Sequence, residues 1–243
     1  FKSTGGDGLV SLKDYVARMK EGQEAIYYIT GENAEVLAKS PHLEGFRAKG
    51  VEVLLLSDPI DDFWVPSLFE GYEEKQFKSI TRGGADLDKI ADGDDDKDDV
   101  DKTAKSKKKE DKKAEKADVS ALIASLKLAL GETVKDVRVS ERLTDSPVCL
   151  VSDEGDIDIR LARLLKANQQ LDETITRVLE VNPTHPLVTA LAGIVGDDGA
   201  GTKLGDAAWL LLDQARILEG ETLPDPTAFV RRLSDVMSKG FAA

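Results

Sequence analysis

A single cysteine, Cys149, in 243 residues rules out an internal disulfide and fits a reducing compartment. No apolar run approaches the ~20 residues that span a bilayer, and the N-terminus has no signal-peptide pattern. A cytoplasmic protein is therefore expected, with no membrane partner. Basic charge is in deficit: 33 Lys+Arg against 46 Asp+Glu leave a formal charge of -13, which argues against nonspecific nucleic-acid binding. There are two histidines, His42 and His185. Each adjoins a proline and has no Cys or carboxylate at ligand spacing, so both read as caps or turn residues and no metal site is expected.

Catalytic signatures are also missing. The segment GDDGAGTK (residues 196–203) has Gly-Thr-Lys where a phosphate loop needs Gly-Lys-Ser/Thr, and it follows a helical pattern rather than a strand, so it reads as a polar loop. Asp88 to Gly93 and the acidic run after it lack the alternating ligands and sixth-position glycine of a calcium loop. Cys149 lies in the apolar run Pro147 to Val151, where a small core residue is a better reading than a nucleophile. No catalytic residue is assigned.

What is present is an apolar fraction of 41%, enough in a chain of this length for one or two cores. From Ser11 to Trp64 the period switches from helical to extended and back twice, the pattern of an αβα layer. Ser11 caps a helix with Leu12, Tyr15, Val16 and Met19 on one face, and Gly22 is placed to end it. Ala25 to Ile29 reads as a buried strand. Val51 to Leu56 reads as a strand covered on both faces, followed by Asp58 and Pro59 as the start of a helix.

Asp94 to Lys116 holds nine acidic and nine basic residues, with Val100 its only large apolar one. Residues 92–118 are therefore read as a charged linker, either disordered or a surface helix, with an interaction tail as the alternative. A second domain starts near Val119. Leu122, Ile123, Leu126 and Leu130 form a helical stripe closed by Gly131, and strands are expected at Val134 to Val139, Pro147 to Val151 and Thr176 to Val181. Between Asp156 and Gln170, Ile157, Leu161, Leu164 and Leu165 share one helix face, with Asp158, Arg160, Arg163 and Lys166 on the other. Periodicity alone reads this as a core helix with a solvated polar face.

Near the end, Leu204, Ala208, Leu211, Ala215 and Leu218 form a helix-packing seam that Gly220 is placed to stop. Asp225 and Pro226 restart a helix bearing Phe229, Leu233, Val236 and Met237, with Gly240 as terminator. Trp209, Leu210, Leu212 and Ile217 make the first helix apolar beyond one stripe, more than one antiparallel partner covers. A second copy giving a four-helix bundle is the economical reading, and a monomeric helical core is the alternative.

The strings DYVARMKEGQEAIYYITG (14–31), SPHLEGFRAKGVEVLLLSDPID (40–61), the pair Phe63-Trp64, ERLTDSPVCLV (141–151), NPTHPLV (182–188) and WLLLDQARILEGETLPDPTAFVRR (209–232) resemble the heat-shock protein 90 chaperones, in their bacterial high-temperature protein G type. The resemblance implies an α+β chain in three parts. Residues 1–91 would be the small αβα distal lobe of the middle segment, 92–118 the linker, and 119–243 a C-terminal domain with a short mixed sheet and a dimerising helical hairpin. Beginning at Phe1 rather than Met, the chain reads as a fragment.

The resemblance further implies client binding by Phe63, Trp64, Ile157, Leu161, Leu164 and Leu165. It implies a homodimer interface of Leu204, Ala208, Trp209, Leu211, Leu212, Ala215, Leu218, Phe229, Leu233, Val236 and Met237. Branched aliphatics stand where relatives often carry Met, which predicts a less adaptable client surface, and for Phe63 and Trp64 the sealing of a core is the alternative. The expected partners are a second copy, partly folded clients and other chaperones. ATP and Mg are expected in a missing N-terminal domain, so no cofactor and no ATPase activity are expected here. The ending FAA lacks the acidic pentapeptide by which eukaryotic relatives recruit helpers, so that partnership is not expected. A passive dimerisation scaffold and a nucleotide-dependent enzyme are the rival classes.

Overall fold

In the computed structural model of the protein, β2 (Ala25–Thr30) alternates between two cores. Ala25, Tyr27 and Ile29 point into one and Ile26 and Tyr28 into the other. The same alternation runs through residues 51–56, with Val51, Val53 and Leu55 on one side and Leu54 and Leu56 on the other. That two-sided burial is what a parallel pair covered by helices requires. Only Leu54–Leu56 is laddered as β3. It pairs in parallel with β2, which on its other side pairs in parallel with β4 (Gln76–Ser79), and β1 (Lys2–Ser3) adds antiparallel to β3, giving the order β1-β3-β2-β4.

The structure describes residues 1–83, 87–90, 119–153, 155–169 and 175–241; the charged run from Asp94 to Lys116 lies outside them. The chain divides into two units whose composition is not sequential. The first takes Phe1–Asp98, Glu141–Thr144 and Val151–Ile175, and the second takes Asp99–Ser140, Asp145–Leu150 and Thr176–Ala243.

In the first unit, α1 (Leu12–Ala17) begins at Ser11, whose hydroxyl accepts from Asp14 N at 3.1 Å. The helix stops at Ala17, not at Gly22 as expected. Gly22 instead turns the chain with φ +80°, where an added Cβ would stand 2.3 Å from the Lys89 carbonyl oxygen. α1 and α4 (Asp61–Trp64) pack on the Ile26 face, while α2 (Ala34–Leu37) and α3 (Glu44–Ala48) pack on the Tyr27 face.

Tyr15 ties α1 to the sheet. Its hydroxyl donates to Glu52 O at 2.7 Å and accepts from Tyr27 N and Gln23 Nε2, and burial pushes its phenol well above the usual tyrosine range. Tyr15→Phe leaves the Tyr27 amide, one N–H of Gln23 (whose Nε2 keeps its bond to Ala25 O) and the Glu52 carbonyl without the hydroxyl, so urea unfolding should show a loss of about 3 kcal/mol; a loss of a few tenths would mean that water replaces the hydroxyl.

In the second unit, residues 119–130 form helix α5 with Val119, Leu122, Leu126 and Leu130 buried. Gly131 follows at φ +51°. β5 (Asp136–Val139), β6 (Val148–Val151) and β7 (Val178–Val181) form a sheet of order β5-β7-β6, each strand a residue or two shorter than its apolar run. Glu180 is buried on β7, where it accepts from Arg138 Nη2 at 2.9 Å and from Ser140 Oγ at 3.0 Å. Cys149 is buried beside it, its sulfur 3.9 Å from Glu180 Oε2. His185 caps α7 (Pro186–Gly193) through Nδ1.

α8 (Ala200–Leu218) begins inside the segment expected to be a loop: Gly199 at φ +82° is its N-cap, and only residues 196–199 precede it. Its end is a Schellman motif, with Glu221 N donating to Arg216 O and Gly220 N to Ile217 O. Asp225 then caps α9 (Pro226–Phe241) through Ala228 N at 2.9 Å. Gly240 lies within this helix and does not terminate it.

Candidate functional site

α6 (Ile159–Ala167) belongs to the first unit and is oriented by its polar side chains. Asp158, its N-cap, accepts from Arg160 N at 3.0 Å, Ser79 Oγ at 2.7 Å and Thr81 Oγ1 at 2.5 Å. Arg160 Nε reaches Asp62 Oδ2 of α4 at 2.7 Å, with the two side chains only 10% and 2% exposed. Arg142 donates to the carbonyls of Ile80 and Arg82. The expectation of a solvated polar face on this helix is thus wrong at its start, since Asp158 and Arg160 are buried. Partners on β4 and α4 satisfy them, so their charge is no guide to exposure.

The consequence is an inverted helix. With Ile159, Arg160 and Ala162 buried, Ile157, Leu161, Leu164 and Leu165 are left partly exposed. α4 packs against α6, so Phe63 and Trp64 fall in the same unit as this face. Phe63 projects, 50% exposed. Trp64 is partly buried: its ring lies 6.1 Å from Phe1 and 6.2 Å from Phe77, and its Nε1 donates to Asp61 Oδ1 at 2.7 Å. Leu68 and Phe69 extend the exposed apolar edge, with Phe69 at 83%. Neither was singled out from the sequence, although an aromatic in a turn was the available signal. Asp62 carried no such signal.

The terminal hairpin is the other candidate surface. Leu204, Ala208, Leu211, Leu212 and Ala215 are already buried within the chain, and Trp209 is partly covered by Arg232, whose guanidinium sits 5.4 Å from the ring centre. The remaining positions are open. Leu218, Leu233, Val236 and Met237 are exposed and Phe229 is half-buried; Ile217, Val230 and Phe241 join them. No residue of α9 is buried. Between α7, α8 and α9 runs an apolar groove of about 650 Å3, lined by Leu187, Leu191, Leu210, Phe229, Leu233 and Val236 among others.

Among the described residues, no cluster of three or more His, Cys, Asp or Glu is placed to hold a metal ion, and no helix is long and apolar enough to cross a membrane.

The model of one family, Hsp90 protein, matches residues 1–243. The chain is 55% identical over 98% of its length to the chaperone protein HtpG of Roseobacter denitrificans. It is 53% identical over 99% to that of Paramagnetospirillum magneticum and 51% over 99% to that of Rhodospirillum rubrum. It spans 37% of the length of these relatives. Two expectations fall on the extent of these matches. The chain was expected to be no enzyme and to hold no cofactor, with ATP and Mg assigned to a missing domain. The family model covers the chain from its first residue to its last, so the match gives no ground for setting the chain apart from the family's nucleotide chemistry, and that exclusion does not stand.

Proposed function

Since this chain belongs to the Hsp90 family, we propose that it is a client-binding and dimer-forming part of a bacterial cytoplasmic chaperone. In this reading residues 1–91 are the distal lobe of the middle segment and residues 119–243 the C-terminal dimerisation part. The observation that carries it is the orientation of α6. Buried partners hold its polar start inward and leave Ile157, Leu161, Leu164 and Leu165 partly open. Phe63 and Phe69 are exposed in the same unit, and exposed apolar groups gathered in one patch are of a kind that monomers seldom keep without a use. The work is mechanical: two copies joined by their α8–α9 hairpins present paired surfaces to a partly folded chain.

Suppression of aggregation of a thermally unfolding reporter protein tests this. Leu161→Asp and Phe63→Ala should each raise the concentration needed for half-suppression by roughly tenfold, the equivalent of one lost apolar contact. Phe63 is the cleaner aromatic probe, because Trp64→Ala also removes a packed ring and its hydrogen bond to Asp61. Unchanged suppression by both variants would leave a passive dimerisation scaffold as the better reading.

A further inference from the structure

Directly after Phe63 and Trp64, the segment Val65 to Phe69 and strand β4 enclose a recess of about 390 Å3. Its apolar wall is Val65, Leu68, Phe69 and Phe77, and its polar lining is Tyr28, Gln76, Ser79 and the two cations Lys78 and Arg82. In a chain with 46 acidic residues, none of the described residues lining this recess carries a carboxylate. Arg82 Nε is buried without a hydrogen-bond partner, and Arg82 makes no ion pair among the described residues. The Tyr28 hydroxyl likewise makes no hydrogen bond among them. Burial and the nearby Asp158 push its phenol up to about 12, so at neutral pH it is a donor.

Two carboxylates, Asp158 and Asp62, lie behind the recess and act on Tyr28, and Asp62 is paired with Arg160. Neither lines the recess, and the Asp158 oxygens accept from Ser79, Thr81 and the Arg160 amide, so the cations Arg82 and Lys78 are the charges at the recess wall itself. A charge-assisted pair with a carboxylate is stronger than a neutral hydrogen bond, and Arg82 is only partly buried, so the rest of its guanidinium is open to an incoming anion. The apolar wall beside it selects against a bare ion and favours a carboxylate attached to something greasy.

We propose that this recess binds the carboxylate of an aspartate or glutamate in an extended client segment, with an adjacent aromatic or aliphatic side chain lying against Leu68, Phe69 and Phe77. The site gives the client surface a preference for acidic residues next to apolar ones. It rests on the client-binding reading and deepens it.

The test is fluorescence anisotropy with the intact chain and two short fluorescein-labelled peptides, one carrying an Asp-Phe step and the other Asn-Phe in its place. The Asp peptide should bind about tenfold more tightly, as expected for a charge-assisted pair. Arg82→Met should abolish that preference while leaving the Asn peptide's affinity unchanged. Tyr28→Phe, isosteric and expected to fold, should reduce the preference about threefold, and it keeps the test decisive if Arg82→Met does not fold. Equal binding of the two peptides, a preference that survives Arg82→Met, or displacement of the Asp peptide by millimolar inorganic phosphate would each overturn the proposal. Failure here with Leu161→Asp and Phe63→Ala still impairing aggregation suppression would sink the acidic subsite alone. Loss of those effects would sink the client reading itself.

Discussion

If the chain dimerises through its α8–α9 hairpins as proposed, the double substitution Leu233→Asp/Val236→Asp is expected to leave it monomeric by sedimentation velocity at concentrations where the unaltered chain sediments as a dimer. The argument starts from α9. A sixteen-residue helix with no fully buried residue is held to its own chain only by partly covered side chains such as Phe229 and Arg232, and isolated helices of that length are marginal in water. Its apolar side chains, with Leu233 38%, Val236 52% and Met237 50% exposed, therefore need cover. The groove between α7, α8 and α9 lies beside them.

In the proposed dimer a second copy would supply the same apolar side chains in return, and under twofold symmetry every substitution would act twice. Burial of a Leu or Val is worth about 1.5–3 kcal/mol. Placing carboxylates in the interface adds a desolvation cost of several kcal/mol. A dissociation constant at least a thousandfold weaker follows. Leu204→Ala would instead act on the stability of the single chain, since Leu204 is only 6% exposed there. A double variant that still sediments as a dimer would remove α9 from the interface.

The contrast between these two leucines shows what was legible in the sequence. Leu204 and Leu233 sit at equivalent positions of their apolar stripes, and periodicity cannot say which stripe is satisfied within the chain. Features of one or two turns read well, because the chemistry is local. Ser11, Asp225 and Gly220 act at the helix ends where a cap or a left-handed residue is required. The two-sided burial of residues 51–56 showed in the near absence of charge. Gly22 and Gly240 misled for a complementary reason: a glycine marks a permissive backbone, and at position 22 the demand comes from Lys89, far along the chain.

The polar start of α6 was the largest miss. Its partners Asp62, Ser79 and Thr81 lie 77 to 98 positions away, beyond any local pattern, and the charges of Asp158 and Arg160 pointed to the wrong side of the helix.

That same pair sets the second large effect, a loss of about 3–5 kcal/mol for Asp62→Ala. The Arg160 side chain is 10% exposed and its Nη1 already lacks a partner. Removing Asp62 strands a full charge in the interior of the first unit. Arg160→Met in the same background removes the stranded charge and should recover most of the loss, because a buried ion pair and an apolar replacement of similar volume are often nearly equivalent. The two tryptophans allow the effect to be located, since Trp64 reports the first unit and Trp209 the second. In a Trp209→Phe background, urea unfolding followed by fluorescence should show the Asp62→Ala shift in full. Screening by salt should change it little, because the pair is sheltered from solvent. If Asp62→Ala costs less than about 1 kcal/mol, the pair behaves as a surface bridge and α6 must be held by Asp158 with Ser79 and Thr81. If the double variant is no better than Asp62→Ala, Arg160 contributes through packing of its aliphatic stem, not through its charge.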